Sequence, residues 1–166
     1  YYCCDAVLRG ADPAAVAFGN ADEAQRKARS MLTRWTDGEF ETHVRQFPLV
    51  YWTGFDCESH VWHAGLCAKF RHNDMPLLID FRPNANKRMT ELTILTVDDP
   101  GLFSRIAGAV AAAGANIAGA RITTCHDGTV LDVFFLQDMN NAAIESPKEL
   151  EKIRGILEKT LRGEFW

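Results

Sequence analysis

Asp98-Asp99-Pro100-Gly101 is the stretch best suited to chemistry, because it lies where an apolar strand-like run gives way to a helical pattern. Gly101 permits close approach of a ligand to the backbone, and the first N–H groups of a helix starting at Leu102 point outward toward any carboxylate. Asp98 or Asp99 offers a counter-charge to an ammonium group, and Asn116, followed by Ile117, offers a donor and an acceptor. These groups together suit an amino acid. The same loop is also a sound turn and helix start without any ligand, since Asp caps and Gly turns, and Asn116 equally serves a cap or a tight backbone.

Other reactive side chains are less organised. His60 and His63 are three apart on a helical pattern, but no HExxH string and no third ligand accompany them. His43, His60, His63 and His72 are therefore read as packing or surface residues, with no metal assigned. The five cysteines, Cys3, Cys4, Cys57, Cys67 and Cys125, form no CxxC pair and read as reduced thiols, with Cys3 and Cys4 placed on a terminal helix. Cys125-His126 has no base and orienter at a recognisable spacing, so no catalytic nucleophile is assigned.

The elements that must position the aspartate loop follow from periodicity. A polar turn at 83–89 divides a mainly helical part from a mixed one. In the first part Ala24, Ala28, Met31, Leu32 and Trp35 mark the buried stripe of a helix over 21–37, with Asn20 as its cap. A second helix carries Phe40, Val44 and Phe47 and stops at Pro48, the stretch Leu49-Val50-Tyr51-Trp52 reads as an apolar loop, and Asp56 caps a third helix to about Arg71.

In the second part, residues 76–82 and 91–97 read as a hairpin. A helix from Leu102 turns Phe103, Ile106, Val110 and Ala113 inward and closes at Gly114. Strands follow over 116–124 and 129–137, joined by Asp127-Gly128, and the second is apolar on both faces, as a central strand is. Ser146-Pro147-Lys148-Glu149 has the form of a capping box opening a helix that buries Leu150, Ile153, Leu157 and Leu161.

Composition narrows the function. Hydrophobic residues make up 47% and charged residues 24% of the chain, as in globular proteins that bury a core. A net charge of −4 with no basic run argues against nucleic acid as a partner. No apolar stretch reaches the ~18–20 residues that span a bilayer, and the N-terminus lacks the layout of a secretion signal, so no membrane and a cytoplasmic location are expected.

The order strand, Asp-Asp-Pro-Gly loop, helix, Gly114-Ala115-Asn116-Ile117, strand, Asp-Gly hairpin, strand, helix resembles the ACT domain, a ferredoxin-like regulatory fold. Thr90-Glu91-Leu92-Thr93, Gly101 through Ala109, Ala120-Arg121-Ile122 and Leu131-Asp132 narrow the resemblance. They are similar to the first ACT repeat in the bacterial PII-protein uridylyltransferase and uridylyl-removing family, and Tyr51-Trp52-Thr53-Gly54-Phe55-Asp56 with the His60 helix is similar to the segment joining that family's HD hydrolase domain to its ACT repeats.

The resemblance implies an α+β fold, a ferredoxin-like ACT domain (βαββα, antiparallel sheet) preceded by a mainly helical segment. Residues 1–75 would be the linker after an absent HD domain, and 76–166 the ACT domain, with core 89–163, its own last strand missing and strand 76–82 at the vacant edge. It further implies sensing of glutamine or a similar amino acid through Asp98, Asp99, Gly101, Leu102, Asn116 and Ile117. Partners would be a second ACT repeat or a homodimer, and PII through the parent enzyme. The glycine-serine and paired-aspartate motif of a nucleotidyltransferase is absent, and His72-Asn73-Asp74 departs from the HD metal pattern. No catalytic residue or cofactor is thus expected here, and the parent's divalent metal, such as Mg, would bind outside this chain. The alternatives are an interaction scaffold that binds no ligand, supported by Phe47–Trp52, and an ACT module of another amino-acid pathway.

Overall fold

The computed structural model describes residues 13–162, with side chains from residue 20 onward. Cys3 and Cys4 lie outside that range. Two compact units are present: one holds the described residues up to Met75 together with Thr123–Asp127, and the other holds Pro76–Ile122 and the described residues from Gly128.

The helical unit comprises α1 (Pro13–Met31), α2 (Asp37–Gln46), α3 (Leu49–Gly54) and α4 (Cys57–His72). Two sequence expectations are corrected. The first helix starts and stops earlier than the apolar stripe suggests, so Asn20 is interior and Met31, 63% exposed, is outside the core. What stops it is local: the Arg29 guanidinium donates to the Leu32 carbonyl at 3.1 Å and to Asp37 Oδ1, and Thr36 then opens α2 with a complete capping box. The stretch at Leu49 is a short helix rather than a loop, because Tyr51 N–H donates to the Pro48 carbonyl and its turn drives Tyr51 and Trp52 inward. Asp56 caps α4 as expected, accepting from Ser59 N–H at 2.8 Å.

The core of this unit is aromatic and unusually rich in imidazole. Phe47 and Tyr51 stack at 4.2 Å between ring centroids, and His43 sits against Trp35, Phe40, Phe47 and Trp52. Tyr51 Oη and His63 Nδ1 are hydrogen-bonded at 2.9 Å. Both ring nitrogens of His43 are buried without a hydrogen-bond partner among the described residues. Burial first, then the charges of Arg71 and His60, hold its pKa down at about 3. Burial lowers His60 as well. These rings pack as neutral aromatic bodies.

The second unit is built on a four-stranded antiparallel sheet of β1 (Leu77–Asn84), β2 (Met89–Val97), β3 (Asn116–Thr124) and β4 (Thr129–Gln137), in the order β1-β2-β4-β3. Helices α5 (Leu102–Ala112) and α6 (Pro147–Leu161) complete the βαββα unit of a ferredoxin-like ACT fold, with β1 beside β2. Ile79 faces Ile94, and Leu92 faces Phe134. Those side chains join Leu102, Ile106 and Val110 of α5 and Ile153 and Leu157 of α6 in one core. Pro83 is tolerated in β1 because an edge strand has one side with no ladder bond to make. Phe103 is 50% exposed instead of inward; Leu102 and Ala109 fill the place assigned to it, while its ring stays within 5.7 Å of Phe134. Of the Ser146 capping box only one arm forms, a long one, with the hydroxyl accepting from Glu149 N–H at 3.4 Å.

Two predictions follow from this packing. Thr90 is fully buried, and its hydroxyl donates to the Ile144 carbonyl at 2.7 Å and accepts from Ile144 N–H at 2.9 Å, tying the 138–145 loop to β2. Thr90→Val preserves shape but orphans two buried backbone groups, so it should cost about 2–4 kcal/mol; a urea midpoint corresponding to under ~1 kcal/mol would refute the linkage. Secondly, His43 is neutral when folded, so protonation favours the unfolded chain. The stability it confers is complete above its ordinary value of 6.5 and is lost as pH falls toward about 3. Thermal melts followed by tryptophan fluorescence should lose on the order of 1 kcal/mol per pH unit below that value. His43→Leu should flatten the slope, and an unchanged slope would exclude His43 as its source.

Candidate functional site

The loop after β2 is shaped by its sequence in a way that can be followed bond by bond. Asp98 N–H donates to the Gly128 carbonyl at 3.0 Å, which anchors the loop to the start of β4. Asp99-Pro100-Gly101-Leu102 is a type II turn: Leu102 N–H donates to the Asp99 carbonyl at 3.1 Å, and Gly101 takes φ 78°, ψ 6°. A Cβ at Gly101 would meet no atom within 4 Å, so the glycine is required by its backbone angle and not by crowding.

Gly101 is also the N-cap of α5, and it has no side chain with which to cap. Leu102 N–H is used by the turn and Arg105 N–H by the Gly101 carbonyl. Among the described residues, the N–H groups of Phe103 and Ser104 have no acceptor, and both residues are exposed. Two adjacent backbone donors at a positive helix end therefore face outward. Asp99 does not cap the helix; its carboxylate pairs with the Arg105 guanidinium. Asp98 is exposed beside it.

Asn116 and Ile117 lie elsewhere. α5 ends in a Schellman motif, with Ala115 N–H donating to the Val110 carbonyl, Gly114 N–H to the Ala111 carbonyl, and Gly114 at φ 84°. This delivers Asn116 to the start of β3. Because β3 runs in the same direction as β2, with β4 between them, Asn116 stands at the opposite end of the sheet from Asp98. The nine-residue strands put roughly 26 Å between the two ends. Asn116 is exposed, whereas Ile117 packs against the core. Leu102 is likewise a core side chain at 6% exposure, so only the backbone of these two residues is available to a ligand. Of the six candidates, Asp98, Asp99, Gly101 and Leu102 converge, and Asn116 and Ile117 do not join them within one chain.

Near the Asn116 end the sequence reading missed a cavity of 310 Å³ between the end of α5, the loop after β4 and the first turns of α6. Asp138, Glu149 and Lys152 are its charged walls. Asp138 is committed to its own loop, accepting from Asn140 N–H and Ala142 N–H at 2.8 and 3.0 Å. Only the charged first turn of α6 hints at this cavity in the sequence.

The remaining candidates are structural. His126 N–H donates to the Gln46 carbonyl at 2.9 Å, and Cys125 is buried, so the tip of the β3–β4 hairpin is part of the helical unit. Burial pushes the Cys67 thiol up to about 12, which suits a packed thiol and not a nucleophile. Phe47, Tyr51 and Trp52 are internal, leaving Leu49 and Val50 as the exposed part of the stretch that suggested a scaffold. Among the described residues, no group of three His, Cys, Asp or Glu side chains is placed to hold a metal ion, and no helix is long and apolar enough to cross a membrane.

No family model matches the chain. Curated relatives do. The chain is 36% identical over 148 residues to the bifunctional uridylyltransferase/uridylyl-removing enzyme of Ruegeria pomeroyi, an alignment covering 88% of this chain and 16% of that protein. It is 39% identical over 143 residues to the enzyme of the same name from Azospirillum brasilense, covering 86% and 15%. With that of Nitrobacter winogradskyi it shares 32% identity over 169 residues, covering 98% and 18%. The chain thus spans about one sixth of the length of these relatives, and over that span it belongs to the family of bifunctional uridylyltransferase/uridylyl-removing enzymes.

Proposed function

We propose that this chain is the ligand-sensing ACT part of a bifunctional enzyme that uridylylates and deuridylylates the PII protein, and that its ligand is glutamine or a closely similar amino acid. The helical unit is the segment that follows the HD domain in such an enzyme. The observation that carries this reading is the pair of outward N–H groups, Phe103 and Ser104, at an α5 terminus that no side chain caps. An α-carboxylate satisfies both donors. Asp98 lies close enough in sequence to take the ammonium group, and Asp99 can do so once it leaves Arg105.

Asn116 enters this site from a second ACT unit, because its own loop is a full strand length away. β3 is an edge strand whose residues from Asn116 to Ile122 are half-buried or exposed, and an unpaired edge accepts another strand. A second repeat or a second copy laid against this side supplies the missing group. The ligand then acts by favouring one arrangement of units over another, since a ligand that binds both equally shifts nothing.

Calorimetry with glutamine, against glutamate and serine, tests the site. Saturable heat with glutamine alone, lost in Gly101→Val and in Asn116→Ala, is the expected result; no heat at millimolar glutamine from a dimeric preparation would end this reading. The two-unit geometry makes a sharper prediction. Mixing the Gly101→Val and Asn116→Ala proteins should restore roughly one quarter of the sites, because a symmetric mixed dimer carries one intact pocket and one doubly damaged one. No restoration on mixing would show that both residues act within one chain, or that one of them does not act.

A further inference from the structure

The helical unit carries a second feature, unrelated to the aspartate loop: an open groove of 750 Å³ between the α1–α2 connection and the last turn of α4. Arg34, Arg71 and the imidazole of His72 line it, against one carboxylate, Glu39. That carboxylate is already engaged, accepting from Thr36 N–H at 2.7 Å. Arg34, Arg71 and His72 have no side-chain partner among the described residues. A cationic groove of this kind stands out on a chain whose net charge is −4.

The groove also has an aromatic wall. Trp35 is half-buried and packs edge-to-face on His43, with 5.4 Å between centroids. Arg71, on the last turn of α4, lines the same groove and is near enough to His43 for its charge to be the second cause of that ring's depressed basicity. At Gly38 a Cβ would meet nothing within 4 Å, which leaves the α2 side of the groove open.

We propose that this groove binds a phosphate-bearing ligand with a planar ring, of mononucleotide size, held by Arg34 and Arg71 on the phosphate and by Trp35 against the ring. Two guanidinium forks and an imidazole offer more donors than one carboxylate can use, and they match the several oxygens of a phosphate dianion. The volume falls within the ~300–1,000 Å³ of sites that enclose cofactor-sized molecules. A nucleic-acid chain would need a continuous cationic track, which the acidic surface does not supply. This site is independent of the amino-acid reading above.

Titration of the whole chain with UMP and AMP, followed by calorimetry and tryptophan fluorescence, tests the proposal, with uridine and inorganic phosphate as the separated halves. The nucleotides should saturate and bind more tightly than either half. Arg34→Ala and Arg71→Ala should each weaken binding about tenfold or more. Gly38→Tyr, which fills the groove from an open helix position, should abolish binding while leaving the melting temperature unchanged or higher. Arg26→Ala, on an exposed α1 ion pair with Asp22, should have no effect on binding. Phosphate binding as tightly as the nucleotides would overturn the role of Trp35. Absence of saturation, or affinity unchanged in both the arginine and Gly38 variants, would overturn the site altogether.

Discussion

The register of β2 against β4 governs where every group of the candidate site stands. Val97 opposite Thr129 places Asp98 beside Gly128, and the hydrogen bond between their backbones locks the loop where α5 must begin. The same register sets Leu92 against Phe134 and Thr90 against Leu136 on the face covered by α5 and α6. A slip of one residue would turn the buried β4 side chains to the other face and carry the loop away from its anchor. Such a slip is resisted strongly, because Val130, Leu131, Val133, Phe134 and Leu136, and the carboxylate-bearing Asp132 among them, are all no more than 2% exposed, and moving any of them to the other face breaks its close packing. The precision of the loop is thus inherited from the most deeply buried strand.

The elements of the second unit were legible because each carries local chemistry that agrees with its packing. Gly114 supplies the left-handed cap, Asp127-Gly128 the tight turn, and Pro147 the start of α6, and the observed strands and helices begin and end at those residues. The helical unit was less legible for a definite reason. Its first helix is stopped by Arg29 reaching forward to Leu32 and Asp37, a contact between separate elements that periodicity does not reveal. Its short α3 reads as a loop because two buried aromatics within six residues leave no helical stripe to detect. Thr123–Asp127 belong to this unit, where His126 N–H donates to the Gln46 carbonyl, a backbone bond for which side-chain identity carries no signal.

Of the site, the loop was readable and its completeness was not. Asp-Pro-Gly specifies the turn and the bare helix end through backbone chemistry alone, which a sequence displays directly. That Asn116 belongs to the far end of the sheet follows only from strand direction: in a βαβ unit the helix returns the chain to the end from which the first strand started. Short sequence distance between Gly101 and Asn116 is therefore misleading. Eleven helical residues between them, rising about 16 Å, carry the chain back along the sheet together with the loops at either end.

On the proposed reading this separation has a regulatory consequence. If one ligand needs the loop of one unit and the asparagine of another, its binding free energy contributes to the association of the two units as well as to occupancy, with the stabilisation growing as RT ln(1 + [L]/Kd). A ligand at about a hundred times its dissociation constant adds roughly 2.7 kcal/mol to that association, close to a hundredfold in the equilibrium. Two units that touch weakly without ligand are then drawn together progressively as the ligand concentration rises above its dissociation constant. On the proposed reading the Asp99–Arg105 pair adds a local exchange, since Asp99 trades a guanidinium for an ammonium group wherever it, and not Asp98, takes the ligand's amine. Exchanging one exposed ion pair for another is nearly neutral in energy. On the proposed reading the α5 donors hold the carboxylate common to all amino acids, and discrimination among them falls to Asn116, whose amide can both donate to and accept from a ligand side chain.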